Sequence, residues 1–159
     1  MLDKTGVPSK DLIKSRFPEE KYFGAFKAVT ECYEAIPCNP CETSCPFNAI
    51  HVGNDINTPP RVDFDKCTGC GICVYNCPGL AIINVKIEND DAIFRVPYEF
   101  YPLPSEGMIV KGVNRAGVDI CDAEIINVKN TKKQDKTTLL TVKVPKEYLY
   151  DFITIRRLS

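Results

Sequence analysis

Four cysteines stand close together in the stretch CTGCGICVYNCP, which covers residues 67–78. Cys67, Cys70 and Cys73 are each separated by two residues, and Cys77 follows after three more and precedes Pro78. Thiolates at this spacing are ligands of [4Fe–4S] clusters, in which three come from one loop and the fourth serves a second cluster. The run therefore indicates iron–sulfur chemistry at a pair of neighbouring sites.

A second cysteine run, CNPCETSCP at residues 38–46, has nearly the same spacing. Shifting the sequence by 32 residues (70 − 38) superimposes Cys38, Cys41 and Cys45 on cysteines of the other run. The same shift aligns CPFNAI with CPGLAI, including the proline after the last cysteine. The chain thus contains a two-fold internal repeat of cluster-binding loops, which is too short to be a solenoid.

The first cysteine of the earlier run is displaced. Ala35 stands where the shift would place the counterpart of Cys67, and the nearest earlier thiol is Cys32. Strand-like alternation precedes both cysteines, in AVTEC and in VDFDKC, so the two lead-in segments are interpreted as equivalent. Cys32 is then a ligand on a loop that is three residues longer. If Cys32 does not reach the cluster, a three-iron cluster or a water-exposed iron is the alternative.

The last cysteine of each run is predicted to bind the cluster of the other run, which defines two ligand sets. The turn after the third cysteine directs the final thiol away from its own loop, and the following Pro46 or Pro78 helps to fix that direction. Cluster I is predicted to bind Cys32, Cys38, Cys41 and Cys77. Cluster II is predicted to bind Cys67, Cys70, Cys73 and Cys45.

Zinc binding, disulfide bonds and a purely structural role are the alternative explanations of these cysteines. Zinc would use two C-x2-C pairs, Cys38, Cys41, Cys67 and Cys70. That interpretation leaves three further cysteines and both following prolines unexplained, and disulfides suit neither an odd total of nine nor a reducing compartment. A purely structural role is also open, because metal binding supplies folding energy to small domains. One cluster would suffice for that purpose, whereas two close clusters form an electron relay.

Composition limits the remaining function classes. The net charge of −1 and the absence of tryptophan or a basic stripe give no indication of nucleic-acid binding. The longest apolar runs, such as LAII at 80–83, are too short for a membrane span. The opening MLDKTGVPSK has no basic segment leading into an apolar stretch, so a cytoplasmic protein is expected.

Three segments are predicted along the chain: an N-terminal extension at 1–27, the cysteine-rich segment at 28–95 and a small β unit at 96–159. Pro18 and two glutamates favour a short helix within residues 17–28. INVKIENDDAIFRV is typical of two strands around an Asn-Asp-Asp turn. MIVKGVN, GVDICDAEIINVKN and TTLLTVKVP are candidate strands of a small barrel or curled sheet, and PKEYLYDF is a candidate closing helical turn. Cys121, on one of these strands, is expected to be an inert buried thiol, and His51 to be structural.

Residues 28–95 resemble the bacterial two-cluster ferredoxin family, on the strength of CTGCGICVYNCPGLAI and CNPCETSCPFNAI. The resemblance implies an α+β fold with pseudo-two-fold symmetry, in which two β-hairpins and two short helices surround both clusters. It also implies low-potential transfer of single electrons. Gly69 and Gly71 would let backbone N–H groups approach sulfur, whereas Pro37, Asn39 and Pro40 occupy the other loop. We therefore expect the two clusters to differ in reduction potential.

The whole chain, including AIPCNPCETSCP, VPYEFYPLPSEG and NRAG, resembles small ferredoxin-like subunits of flavin-dependent dehydrogenases. These enzymes act on amines and imino acids of the proline, hydroxyproline, sarcosine or opine type. The resemblance implies flavoprotein partner subunits that hold FAD and oxidise the substrate, as in anaerobic metabolism. No nucleotide-binding glycine motif is present, so the chain is expected to have no catalytic site of its own. An independent ferredoxin, an iron–sulfur subunit of another oxidoreductase, and a cluster-based sensor or scaffold are the alternatives.

Overall fold

The computed structural model describes residues 2–159, which form mainly antiparallel β-structure. The helices of this part of the chain are α1 (Lys10–Arg16), α2 (Pro40–Ser44) and α3 (Ile72–Asn76). The strands are β1 (Lys27–Thr30), β2 (Ile50–His51), β3 (Arg61–Val62), β4 (Ile82–Glu88), β5 (Asp91–Tyr98), β6 (Ile109–Val113), β7 (Asp119–Lys129), β8 (Thr138–Pro145) and β9 (Thr154–Ile155). Short 3-10 helical turns cover Glu20–Tyr22, Lys132–Gln134 and Lys146–Tyr148. Across residues 2–159, no helix combines the length and the apolar character that crossing a membrane requires.

Seven strands form one antiparallel sheet in the order β1-β4-β5-β8-β7-β6-β9, while β2 pairs separately with β3. The hairpin between β4 and β5 places Glu88 opposite Asp91, so Asn89 and Asp90 form its turn. Asn89 has a φ of 56°, the left-handed conformation that two-residue hairpin turns require and that asparagine tolerates. The predicted pair of strands around this turn is confirmed.

The sheet continues through the cysteine-rich segment into the C-terminal strands. Strand β5 pairs with β8 along its whole length, from Asp91 opposite Pro145 to Tyr98 opposite Thr138. The predicted boundary between residues 95 and 96 therefore falls inside β5. The division of the chain at 27, 95 and 159 into units that fold separately stays a prediction.

The pleat of the sheet separates two apolar clusters. Because successive side chains of a strand point to opposite faces, neighbouring residues contribute to different sides. Ala28, Ile82 and Leu139 pack on the face that carries the cysteine loops. Val29, Ile83 and Leu140 pack on the other face. Phe94 and Phe152 belong to the same cluster, and their ring centroids are 4.8 Å apart. One sheet thus supports both the cysteine loops and the main core.

The three predicted C-terminal strands are confirmed as β6, β7 and β8, and the closing helical turn is confirmed at Lys146–Tyr148. The predicted helix within 17–28 is wrong, since this segment contains only the turn Glu20–Tyr22 and the start of β1. The helix lies earlier, at α1, where the Ser9 side chain caps the first turn by accepting a hydrogen bond from the Leu12 N–H. Lys14 and Arg16 in its last turn suit the negative end of the helix dipole.

Candidate iron–sulfur cluster site

Both cysteine runs fold as a loop followed by a short helix. In each run, the cysteine before the last lies within the helix: Cys41 in α2 and Cys73 in α3. The last cysteine follows the helix directly: Cys45 after α2 and Cys77 after α3. The N–H of Cys77 donates to the Cys73 carbonyl, which ends the helix at that residue. Since both last cysteines then adopt extended backbone, the chain leaves each loop at the position that the repeat predicted.

Four cysteines line one small cavity: Cys45, Cys67, Cys70 and Cys73. Three of them come from the second loop, and Cys45 comes from the first. The rest of the lining is mainly backbone and apolar side chains, including Ala28, Pro46 and Ile50. Cys67 and Cys73 are buried, whereas Cys70 is exposed. This cavity contains the residues that the sequence assigned to cluster II.

The cysteines assigned to cluster I also lie near one another. Burial raises the pKa of the Cys32 thiol, and the thiolates of Cys77 and Cys38 raise it further. Burial is likewise the main cause that raises the pKa of Cys41 to about 11, to which Cys77 and Cys38 contribute. Cys32 is therefore close enough to interact with two cysteines of this set. Ala35, which occupies the alternative position, is exposed to solvent.

The two cysteine groups are neighbours in space. Burial raises the pKa of Cys73 strongly, and thiolates from both groups, Cys67, Cys70, Cys45 and Cys41, add to this effect. Helices α2 and α3 pack together between the two loops. A charge on one group therefore influences the other directly, as two adjacent redox centres require.

Backbone N–H groups donate hydrogen bonds to three of the sulfurs. Ala49 N lies 3.4 Å from Cys45 Sγ, and its repeat equivalent, Ala81 N, lies 3.3 Å from Cys77 Sγ. Cys67 Sγ accepts from Ala28 N at 3.3 Å. Such bonds stabilise negative charge on sulfur and tune the potential of a cluster. Each of the first two donors lies four residues beyond the last cysteine of its run, within the matched motif CPxxAI.

The two predicted loop glycines have positive φ angles, 71° at Gly69 and 83° at Gly71. A Cβ at Gly69 would lie 2.3 Å from the Phe26 carbonyl oxygen, and one at Gly71 would lie 3.1 Å from Leu139. Their first role is therefore to allow left-handed backbone conformations in a loop that packs closely against Phe26 and β8. Asn39 in the first loop has a φ of −145°, so the two loops differ in backbone conformation. Of the prolines, Pro46 lines the cavity and Pro78 is exposed.

Three polar residues that the sequence did not single out hold the second loop. Asn84 and Arg95 both donate to the Gly69 carbonyl, at 3.1 and 2.5 Å. Lys27 donates to the Cys67 carbonyl at 2.7 Å. Asn84 is completely buried in β4 between two apolar neighbours, Ile83 and Val85. An asparagine between apolar residues is the local signal in the sequence, and it does not reveal the loop that Asn84 contacts.

The donor set fits a group larger than one ion. Within residues 2–159, no three histidine, cysteine, aspartate or glutamate side chains are arranged to hold a single metal ion. A structural zinc requires four ligands about 2.0–2.3 Å from one point. Separate thiolates around a cavity, with N–H donors to sulfur and little competing polar lining, instead suit a [4Fe–4S] cluster. His51 pairs with Arg61 between β2 and β3, and Cys121 lies on β7 beside Gly112.

Comparison with known proteins agrees with this chemistry. Residues 35–81 match the family model described as the 4Fe–4S dicluster domain; Cys32 lies outside the matched segment. Pyruvate synthase subunit PorD of Methanocaldococcus jannaschii is 35% identical over 63 residues, covering 40% of this chain and 71% of that protein. Ketoisovalerate oxidoreductase subunit VorC of Methanothermobacter marburgensis is 36% identical over 59 residues, covering 35% and 75%. The chain belongs to the 4Fe–4S dicluster ferredoxin family.

Some relatives are much longer than the matched region. Ferredoxin-type protein NapF of Haemophilus influenzae is 45% identical over 49 residues, which cover 30% of this chain and 28% of NapF. The similarity thus covers less than a third of each of these two chains. No solved structure gives a significant match to the chain.

Arg95 provides a test of how the surroundings of cluster II set its reduction potential. Burial lowers the pKa of the Arg95 guanidinium, and the Cys70 thiolate offsets part of this effect. The guanidinium donates to the carbonyl of Gly69, the residue before Cys70, which places the cation close to this ligand. We expect Arg95→Met to lower the potential of cluster II by roughly 50 mV, on the order of 1 kcal/mol of lost charge interaction. A redox titration followed by electron paramagnetic resonance (EPR) measures this shift.

The matched control for this substitution is Lys111→Met. Lys111 is an exposed cation of β6 that pairs with Asp122, and its removal should leave both potentials unchanged. An equal shift in the two variants would show that the potential responds to net charge and not to Arg95. The titration also measures the expected difference between the two clusters, which a single indistinguishable wave would contradict.

Proposed function

We propose that this chain transfers single electrons through two adjacent [4Fe–4S] clusters. The ligands of cluster I are Cys32, Cys38, Cys41 and Cys77. The ligands of cluster II are Cys67, Cys70, Cys73 and Cys45. The observation that supports this most directly is the cavity lined by Cys45 together with three cysteines of the other loop. A single cluster at this cavity would leave Cys38, Cys41 and Cys77 of the repeated motif without a role, whereas a second cluster uses them.

The residues of the chain have three tasks in this function. The eight thiolates hold the clusters, which supply reversible one-electron reduction when bound. The N–H groups of Ala28, Ala49 and Ala81 stabilise negative charge on the sulfurs. The buried apolar packing on the cysteine face of the sheet limits the access of water to the ligands.

We propose that the cysteine-rich segment is a pseudo-two-fold unit within an α+β chain. Two features support the symmetry: each half has a loop, a short helix and a following strand, and equivalent alanines donate to Cys45 and Cys77. Residues 96–159 form a barrel-like extension built on the edge of this unit. The continuous sheet supports a permanent attachment rather than a hinged one.

The chain functions, on this proposal, as a fixed subunit of a multisubunit oxidoreductase in the cytoplasm. Relatives named as subunits of pyruvate synthase and ketoisovalerate oxidoreductase support such an arrangement. Exposed apolar side chains beyond the cysteine segment, Phe100, Tyr101 and Ile109, offer surface that a partner would cover. The resemblance of the whole chain to dehydrogenase subunits favours flavoprotein partners that hold FAD and act on amines or imino acids.

Native mass spectrometry of the protein isolated anaerobically from its own cells tests this proposal. We expect about eight iron atoms per chain, in a particle that contains one or more flavoprotein subunits. Substrate added to that particle should reduce the clusters, as seen by EPR. A lone chain with two clusters would favour an independent ferredoxin instead. Clusters that no partner reduces would favour a sensor or scaffold, and zinc or a single cluster would contradict the electron-relay function.

A further inference from the structure

A buried ion pair joins the cysteine-rich segment to the C-terminal strands. Glu31 and Arg115 are 84 residues apart in sequence, and their side chains are only 9% and 8% exposed. The contact is two-pronged: Arg115 Nε lies 3.1 Å from Glu31 Oε2, and the terminal Nη2 bonds the other carboxylate oxygen. This fork geometry fixes the direction of both side chains as well as their distance.

The arginine is itself firmly held. Arg115 lies in the turn between β6 and β7, and its remaining terminal nitrogen donates to the carbonyls of Tyr150 and Asp151, at 2.8 and 3.3 Å. These acceptors belong to the segment between the last 3-10 turn and β9, which packs against the main core through Phe152. These hydrogen bonds therefore fix the position of the guanidinium relative to the C-terminal part of the sheet.

The carboxylate lies at the start of the displaced-ligand loop, which we define as residues 31–37. Glu31 directly precedes Cys32, and its backbone N–H donates to the Ala81 carbonyl at 2.6 Å. On the other side of the cysteine, the Tyr33 hydroxyl donates to the Glu31 carboxylate at 2.5 Å. Both neighbours of Cys32 thus belong to one buried network that ends on Arg115.

The displaced-ligand loop has little other support of its own. In the part of the chain that the structure describes, residues 32–37 make no hydrogen bond between backbone groups. By contrast, the segment before Cys67 is closed by a turn in which the Cys67 N–H donates to Asp63 at 3.0 Å. The longer first loop lacks that turn, so the side chains around Cys32 must set its position.

We propose that Glu31 and Arg115 are positioning residues that hold Cys32 as the fourth ligand of cluster I. The C-terminal strands then have a defined task at the cluster, because they compensate for the longer loop and keep its thiol within reach. This inference rests on the proposed role of Cys32 as a ligand. It adds that the integrity of cluster I depends on a residue from beyond the cysteine-rich segment.

The test compares full-length variants isolated anaerobically: Cys32→Ala, Arg115→Met and Tyr33→Phe. For Arg115→Met, partners that orient ligands predict an affinity for the fourth iron about 10–100-fold lower. The loss is seen by EPR as conversion of cluster I to a three-iron form, while the cluster II signal persists and reports a folded chain. Tyr33→Phe, which removes one hydrogen bond, should produce a smaller conversion.

Two further variants separate positioning from general damage. Arg156→Met removes an exposed arginine–aspartate pair of the C-terminal strands, Arg156–Asp119, and should keep both clusters intact. The double variant Glu31→Leu with Arg115→Met leaves no unpaired buried charge, and we expect the loss of iron from cluster I to persist in it. Wild-type iron retention in this double variant, or equal conversion in Arg115→Met and Arg156→Met, would overturn the positioning role.

The outcome for Cys32→Ala distinguishes this inference from the proposed function. If Cys32→Ala forms the three-iron cluster and Arg115→Met does not, the ligand assignment stands and the positioning role falls. If Cys32→Ala keeps both clusters unchanged, the ligand assignment itself is wrong and the positioning role falls with it.

Discussion

Replacing Gly69 with alanine should abolish cluster II and leave cluster I in place. Gly69 has a φ of 71°, and an added Cβ would lie 2.3 Å from the carbonyl oxygen and 2.5 Å from the Cβ of Phe26. The conformation alone costs about 1–3 kcal/mol for a residue with a side chain. The contact with Phe26 involves backbone, so no rotamer change relieves it. The loop must move, and Cys67 and Cys70 move with it.

Iron analysis and EPR of Gly69→Ala measure this effect. We expect iron to fall from about eight to about four atoms per chain, with only the signal of cluster I remaining. Gly79→Ala is the matched control, because Gly79 lies two residues after Cys77 but has open space within 4 Å of its Cβ position. Full iron in both variants would mean that the second loop tolerates displacement from Phe26.

The second large effect concerns the exchange of ligands between loops. We expect Cys45→Ala to damage cluster II, although Cys45 belongs to the same run as Cys38 and Cys41. The reason is the position of its side chain in the cavity lined by Cys67, Cys70 and Cys73. Cys77→Ala should damage cluster I, because the Cys77 thiolate acts on Cys32 and Cys41.

Assigned EPR or Mössbauer spectra of the two variants decide this prediction. Each should lose one cluster or convert it to a three-iron form, and the affected cluster should differ between them. Cys121→Ala is the control for loss of a half-buried thiol, since Cys121 lies on β7 among the C-terminal strands. If Cys45→Ala and Cys77→Ala damage the clusters of their own loops, the crossed ligand sets are incorrect.

Cysteine spacing was enough to predict most of the candidate site. The spacing itself determines the local geometry, because two residues between ligands make a tight loop. The proline after Cys45 or Cys77 marks where the chain leaves that loop. The C-terminal strands were predictable for a similar reason, because alternation and turn residues are local. The prediction of a helix within 17–28 was wrong, because Pro18 and the two glutamates begin only the 3-10 turn Glu20–Tyr22. The α-helix α1 begins earlier, at Lys10, where the Ser9 side chain caps its first turn.

Contacts between residues far apart in sequence could not be predicted in the same way. Strand β5 pairs with β8 although even the nearest paired residues, Tyr98 and Thr138, are 40 positions apart (138 − 98), and neither strand has a sequence feature that identifies its partner. The contact of Gly69 with Phe26 and the pair formed by Glu31 and Arg115 are of the same kind. The gap at Ala35 showed that the first loop was unusual, but not which part of the chain compensates for it.

Strand β4 links the metal content of the protein to its lifetime in the cell. Ile82 and Asn84 face the cysteine loops, while Ile83 and Val85 belong to the main core, so one backbone separates two sets of contacts. A chain that has not acquired its clusters lacks the folding energy that they supply to one side of this strand. Local opening then reaches the core through β4, and proteases act on such open states. We therefore expect chains without clusters to be degraded faster than chains that hold them.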